Sequence, residues 1–272
     1  MVARRHSAVK GFQRRVPRLR AGQNAPMTPD GTLRPAADDS AASWITNRVG
    51  SFGSGVRGLV PPVFEAYARI LHPAWAADGT RVRWATVAAW SGGTAHALAE
   101  FEPMARQREQ SPVPGPFHAA PTDGALEPAT LAALCDVLAP YTTTPDRCSF
   151  GVWEGYGWTA WMARERRQAA KLDLPNRTFI LFEGPLDSVV DLGWRDAPLA
   201  SAALQRESPN LIWPADRSWF VASEIDLDST FVGGSTELIE ELLGDIRFEA
   251  WRASPDDQVA AGTDLLNAPH IE

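Results

Sequence analysis

The chain is expected to fold as an α+β protein, a mainly antiparallel sheet with helices packed against it. Three observations predict this. Leu131, Leu134, Cys135 and Leu138 recur at helical spacing. Short β-branched and aromatic runs fill the second half, bounded by Pro, Gly, Asn or Asp. Few helical segments separate those runs, so successive strands are expected to pair directly and not through crossover helices.

Residues 1–42 read as a disordered basic tail and linker, with Met27 as an alternative start. Residues 43–101 form an N-terminal α/β part. Gly50, Gly53, Gly55 and Gly58 break up its start. No strand precedes them and no Lys-Ser/Thr pair follows, so they read as a loop and not as a phosphate cradle. The stretch Val63–Leu71 is ambiguous. Val63, Ala66, Tyr67, Ile70 and Leu71 fit a helical stripe, while Phe64, Ala66, Ala68 and Ile70 fit strand alternation. Val82 to Trp90 reads as a short helix stopped by Ser91-Gly92-Gly93.

Residues 102–125 carry Pro103, Pro112, Pro114, Pro116 and Pro121, which predict an exposed loop. Residues 126–252 form a C-terminal α+β part. Its first helix has Pro128 in the first turn and Leu126 and Leu131 in the positions of a hydrophobic staple. Strands are expected at Cys148–Trp153, Thr178–Glu183, Leu211–Trp213, Trp219–Ile225 and Arg247–Trp251. Pro214-Ala215-Asp216-Arg217 suits a hairpin turn. Ser235 or Thr236 caps a helix over Glu237–Leu243. Arg164-Glu165-Arg166-Arg167 with Lys171 reads as an exposed helix of mixed charge. Residues 253–272 read as a C-terminal tail.

Composition narrows the function classes. The chain has 272 residues, 44% of them hydrophobic, which is enough for a sizeable core, and no apolar run is long enough to span a bilayer. No membrane partner is expected. Seven of the 26 Lys and Arg residues lie in the first 26 positions, which hold no Asp or Glu, so the 33 acidic groups face 19 basic ones elsewhere. A body that acidic repels phosphate backbones, and no nucleic-acid partner is expected. Cys135 and Cys148 form no disulfide framework or metal spacing, which suits a reduced cytoplasmic compartment. The histidines are scattered with no i, i+4 pair, so no metal and no cofactor are expected.

Two constellations stand out. Ile225-Asp226-Leu227-Asp228-Ser229-Thr230 imitates the first motif of haloacid-dehalogenase-type phosphatases, in which one Asp attacks phosphorus and the next acts as general acid. No lysine follows Asp228, though that family needs one, so Asp226 and Asp228 are expected to accept hydrogen bonds from turn amides instead. Eleven tryptophans against three tyrosines form the second feature. Trp153, Tyr156, Trp158 and Trp213, with Asp216 and Arg217, are candidate binding residues, because aromatic rings on loops make interface anchors. Tryptophans filling the sheet–helix interface are the plainer reading.

Several segments taken together resemble a set of uncharacterised actinobacterial proteins. They are Phe64-Glu65-Ala66-Tyr67-Ala68-Arg69-Ile70-Leu71-His72-Pro73, Trp153-Glu154-Gly155-Tyr156-Gly157, Leu181-Phe182-Glu183-Gly184-Pro185-Leu186, Ser208-Pro209-Asn210-Leu211, Trp213-Pro214 with Asp216-Arg217 and Trp219, Glu224-Ile225-Asp226 and Val232-Gly233-Gly234-Ser235. That resemblance implies no activity, substrate or catalytic residue. A more distant similarity to immunity-type α+β domains, the Smi1/Knr4-like group, rests on architecture and aromatic character. The function expected is binding, with another protein as partner through an acidic, Trp-rich surface. The alternative is a hydrolase using the Asp226/Asp228 region.

Overall fold

The structure, a computed structural model, describes residues 33–51, 53–106, 114–156, 166–175, 177–191 and 208–267. It is an α+β fold built on a mainly antiparallel sheet. The strands are β1 (Arg34–Pro35), β2 (Ala66–Leu71), β3 (Ala74–Trp75), β4 (Arg81–Val82), β5 (Cys148–Trp153), β6 (Lys171–Leu174), β7 (Arg177–Gly184), β8 (Leu211–Pro214), β9 (Phe220–Ser223), β10 (Ser229–Gly234) and β11 (Ala250–Ala253). The helices are α1 (Ser43–Thr46), α2 (Trp84–Ser91), α3 (Phe101–Arg106), α4 (Pro128–Leu138) and α5 (Thr236–Gly244). Nine strands form one sheet in the order β1-β7-β5-β8-β9-β10-β2-β11, with β6 also paired to β7, and β3 and β4 form a separate ribbon.

Both faces of this sheet are covered. On one face Ala68, Ile70, Phe150, Ile180, Ile212, Val221 and Val232 pack under α4 and α5. Helix α4 contributes Leu131, Leu134 and Leu138, and α5 contributes Leu238, Ile239 and Leu242, all buried. Burial of each such side chain stabilises by about 1.5–3 kcal/mol. The opposite face carries Tyr67, Leu181, Trp213, Phe220 and Phe231 under Trp44, Ile45, Val56 and Val60. A third cluster gathers Leu71, Val82, Val87, Phe101 and Met104 around Trp84.

Capping follows local chemistry. The Glu127 carboxylate accepts from the amides of Thr130 (2.9 Å) and Ala129 (3.0 Å) at the start of α4. The Ser235 hydroxyl accepts from the Leu238 amide at 3.3 Å at the start of α5. The staple residues Leu126 and Leu131 are both buried.

The structure corrects several expectations. Residues 33–42 are part of the fold: β1 pairs with β7, and Ala36 and Ala42 are buried; residues 1–32 lie outside the described residues. A short helix, α3, enters the Pro-rich stretch, with Pro103 in its first turn, where a missing amide hydrogen costs nothing. The ambiguous stretch becomes strand β2 from Ala66 to Leu71, buried along its whole length, so neither period dominates its pattern. Gly233 and Gly234, a pair that reads as a turn, instead end strand β10; at Gly233 a Cβ would lie 2.5 Å from the Phe64 ring, so the strand needs glycine to pass beneath it. Val82 belongs to β4, and its helix starts at Trp84. Arg166 and Arg167 are helical as expected, but Lys171 heads β6, because β7 offers it a pairing edge; Arg164 and Glu165 lie outside the described residues. Residues 253–267 are no loose tail: the side chains of Asp264 and Asn267 are buried.

Candidate functional site

The Asp226-Leu227-Asp228 segment turns the chain from β9 into β10. Its carboxylates both meet arginines, and the Asp228 carboxylate also accepts from its own backbone amide. Asp226 Oδ2 accepts from Arg177 Nη2 at 2.6 Å, and Asp228 Oδ1 accepts from Arg69 Nη2 at 3.3 Å. The turn closes through backbone groups instead, with the Leu227 amide donating to the Glu224 carbonyl at 3.0 Å. Arginines from β2 and β7 reach the turn because both strands end beside it, and a charged partner outcompetes a neutral amide for a carboxylate.

Arg69 is the buried anchor of the site. Its Nε donates to Ser229 Oγ (2.9 Å), and its Nη1 donates to the carbonyls of Ala97 (3.0 Å) and Ala99 (2.9 Å). The guanidinium lies 5.7 Å from the centre of the Trp84 ring. One side chain thereby ties β2 and the approach to α3 to the start of β10.

A chain of buried polar groups sits beside it. His72 is buried, with Nδ1 2.6 Å from the Thr122 carbonyl and Nε2 2.9 Å from Thr230 Oγ1, which is 2.6 Å from Ser223 Oγ. A carbonyl cannot donate, so Nδ1 carries the proton and Nε2 accepts from Thr230. Burial, reinforced by the Arg69 charge, lowers the His72 pKa to about 4 and keeps the ring neutral. The ring fixes the Pro121–Asp123 segment against the sheet. The Gly124 amide adds a bond to the Leu227 carbonyl at 2.9 Å, and Gly124 has φ +74° with its missing Cβ only 2.8 Å from Ile225 Cα.

The result is a cleft of about 430 Å³ lined by five carboxylates, Glu100, Glu102, Asp123, Asp226 and Asp228, against the two arginines Arg69 and Arg106. Glu100 is occupied in binding the 260s segment, accepting from the amides of Thr263 (2.7 Å) and Asp264 (3.0 Å). Asp123 is exposed at the cleft and makes no hydrogen bond or ion pair among the described residues. Partial desolvation by the cleft walls raises the Asp123 pKa even so, and the charges of Asp226 and Glu102 raise it further. Burial also pushes Asp228 up to about 6, aided by Asp123 and opposed by Arg69. These carboxylates repel one another in a partly dry space, so a positive charge entering the cleft relieves them. Among the described residues no group of three His, Cys, Asp or Glu is arranged to hold a metal ion.

The remaining sequence candidates are scattered. Trp213 is core, stacked on Phe220 with centroids 5.7 Å apart and its indole donating to the Ala41 carbonyl at 3.2 Å. Asp216 is consumed by the β8–β9 turn: burial opposes its ionisation, yet hydrogen bonds from Thr143, Ser218 and Thr142 hold its pKa at about 2. Arg217 projects from that turn with its guanidinium 5.7 Å from the Trp44 ring centre. Trp153 and Tyr156 pack edge to face at 5.3 Å, and Tyr156 Oη accepts from Asn210 Nδ2 at 3.0 Å. Trp158 lies outside the described residues. Of the eight described tryptophans, Trp44, Trp84, Trp213 and Trp219 are buried in the core, and Trp75, Trp90, Trp153 and Trp251 are half-buried.

Asp226 and Asp228 were visible in the sequence. Arg69, His72 and Asp123, which complete the site, were not. A single buried arginine and histidine within the otherwise apolar stretch Ala66–His72 was the one available sign. Cys135 and Cys148 are buried free thiols raised by desolvation to about 12, which removes them as nucleophiles. No helix among the described residues is long and apolar enough to cross a membrane. No family model, curated protein or solved structure matches the chain.

Proposed function

We propose that the protein is a binding module whose acidic cleft receives a basic segment of a partner protein. The observation that carries this reading is the surplus of carboxylates in a cleft of about 430 Å³, with Asp123 left unpaired and both Asp123 and Asp228 raised in proton affinity by their surroundings. A lysine ammonium or arginine guanidinium supplies the missing charge and leaves the ion pairs Arg69–Asp228 and Arg177–Asp226 in place. The occupant is therefore a cationic side chain carried on a peptide, and the acidic body steers it inward.

Calorimetric titration of the full chain with hexalysine, hexaarginine and hexaglutamate tests this. Either basic peptide should bind, with affinity falling as salt rises, and hexaglutamate should not. Asp123→Asn with Glu102→Gln should weaken binding at least tenfold without lowering the melting temperature. Equal binding by the double variant would refute the assignment.

A hydrolytic reading has one observation in its favour: Asp228, at about 6, is poised near neutrality as a general acid needs to be. Turnover of a phosphomonoester or glycoside, abolished by Asp228→Asn with folding intact, would favour it over the binding module.

A further inference from the structure

A second cleft, of about 450 Å³, has the opposite character and no part in the reading above. It lies at the end of the sheet formed by β1, β7, β5 and β8, and Arg34, Asp146, Arg147, Ser149, Glu183 and Arg217 line it. The register sets Arg34 opposite Glu183, Glu183 opposite Ser149, and Ser149 opposite Trp213, one row across four strands and therefore on one face.

Charge bookkeeping in this row is uneven. Arg34 and Glu183 neutralise each other, with Nε donating to Oε1 at 2.8 Å. Arg147 and Arg217 have no carboxylate partner among the described residues, and Ser149 Oγ has no hydrogen-bond partner there. Asp216, next to Arg217, does not answer it. Its Oδ2 accepts from Thr142 Oγ1 (2.9 Å), Thr143 N (2.7 Å) and Thr143 Oγ1 (2.8 Å), and its Oδ1 accepts from Ser218 N (3.1 Å) and Ser218 Oγ (2.8 Å).

Arg217 is also the one non-glycine among the described residues with positive φ, at 59°. A left-handed residue after the Pro214 turn is a position where glycine or asparagine is at home. An arginine there holds strain that the turn does not need, and the side chain it places leans over Trp44 beside the cleft. The backbone of Arg147 is fixed to the same hairpin, its carbonyl accepting from the Ala215 amide at 2.9 Å. Arg147, Ser149 and Arg217, the last also resting on the Trp44 ring, thus line a single cleft beside one carboxylate, Asp146.

We propose that this cleft is a binding site for a small phosphorylated molecule. Two guanidinium forks match the charge and the oxygens of a phosphate dianion, and Ser149 adds a hydroxyl donor. The volume exceeds that of the phosphate alone, and it accommodates the alcohol portion of an ester. Asp146 and the Arg34–Glu183 pair also line the cleft and offer acceptors and donors to hydroxyl groups on that portion.

The test is titration of the full chain at constant ionic strength with inorganic phosphate, with glycerol phosphate, and with glycerol as the uncharged control, read by calorimetry and tryptophan fluorescence. Saturable binding of glycerol phosphate, tighter than that of inorganic phosphate, is expected, and glycerol alone should give no signal. Equal affinity for the two phosphates would overturn the assignment to an ester and leave a site for the free ion. Arg147→Gln and Arg217→Gly should each weaken binding at least tenfold. A purely structural Arg217 would make Arg217→Gly less stable and leave binding untouched. Here the variant should keep or raise the melting temperature while losing the ligand, because glycine relieves the strained φ. Absence of saturable binding in the wild type, or wild-type affinity in Arg147→Gln, would overturn the proposal. Asp123→Asn should bind glycerol phosphate as the wild type does, which separates this site from the acidic cleft.

Discussion

Replacing Asp228 with Asn should make the protein lose stability on mild acidification far faster than the wild type does. Two groups near Arg69, the buried His72 and the half-buried Asp228, titrate in opposite senses. His72 is neutral in the fold, with a pKa of about 4 against 6.5 when unfolded, so the unfolded chain binds the extra proton first and stability falls as pH drops below 6.5. Asp228 has a pKa of about 6 against 3.8, so the folded chain binds the proton first and stability rises as pH drops through 6. With those values, going from pH 7 to pH 5 costs about 2 kcal/mol through His72 and returns about 1 kcal/mol through Asp228. The wild type should therefore lose less than about 1 kcal/mol from this pair over that interval. Asp228→Asn retains an acceptor for Arg69 but removes the compensating proton, and should lose about 2 kcal/mol, a fall of about 4–8 °C in melting temperature. His72→Gln should instead gain about 1 kcal/mol on the same descent. Urea unfolding at pH 7, 6 and 5 measures all three. The slopes are diagnostic, since each substitution also shifts stability equally at every pH. Equal slopes in the wild type and Asp228→Asn would show that Asp228 is not held protonated by burial, and the argument for electrostatic stress in the acidic cleft would fail with it.

Other expectations concern the frame that carries the cleft. Leu134 is fully buried on the α4 stripe, so Leu134→Ala should cost about 2–5 kcal/mol in urea unfolding; a loss typical of surface positions would mean that α4 does not pack as described. Gly124→Ala forces a side chain into φ +74° and against Ile225, and should cost about 1–3 kcal/mol. Because Gly124 adjoins Asp123, the same variant should weaken hexalysine binding; unchanged affinity would show that the position of Asp123 does not matter.

What was legible in the sequence followed from one-sided burial. Helix α4 and the cap at Ser235 could be read because a helix with one wet face leaves a period in its residues. Strand β2 could not, because six consecutive buried residues erase the alternation that marks a strand. The glycines of β10 imitated a turn, and the aromatic ring that requires one of them, Phe64, is 169 positions away in the chain. The acidic site was half legible for a similar reason. Asp226 and Asp228 are neighbours, while Arg69 and Asp123 reach them only through strand order and through the His72 contact with Thr122. Long-range partners of this kind leave no local pattern.

The place of β2 in the sheet also dictates the order in which this protein can assemble. β2 finds its two neighbours, β10 and β11, only among residues 229–253. At a synthesis rate of about 5–20 residues per second, the strand waits roughly 10–35 s after leaving the ribosome before its partners emerge. Throughout that interval a six-residue segment, apolar except for Arg69, has both edges open, the condition under which nascent chains pair with one another. A cell making this protein must either shield β2 during synthesis or accept that much of the chain is committed before this end of the sheet closes. A fragment ending before residue 229 therefore inherits an unpaired strand and not a smaller fold.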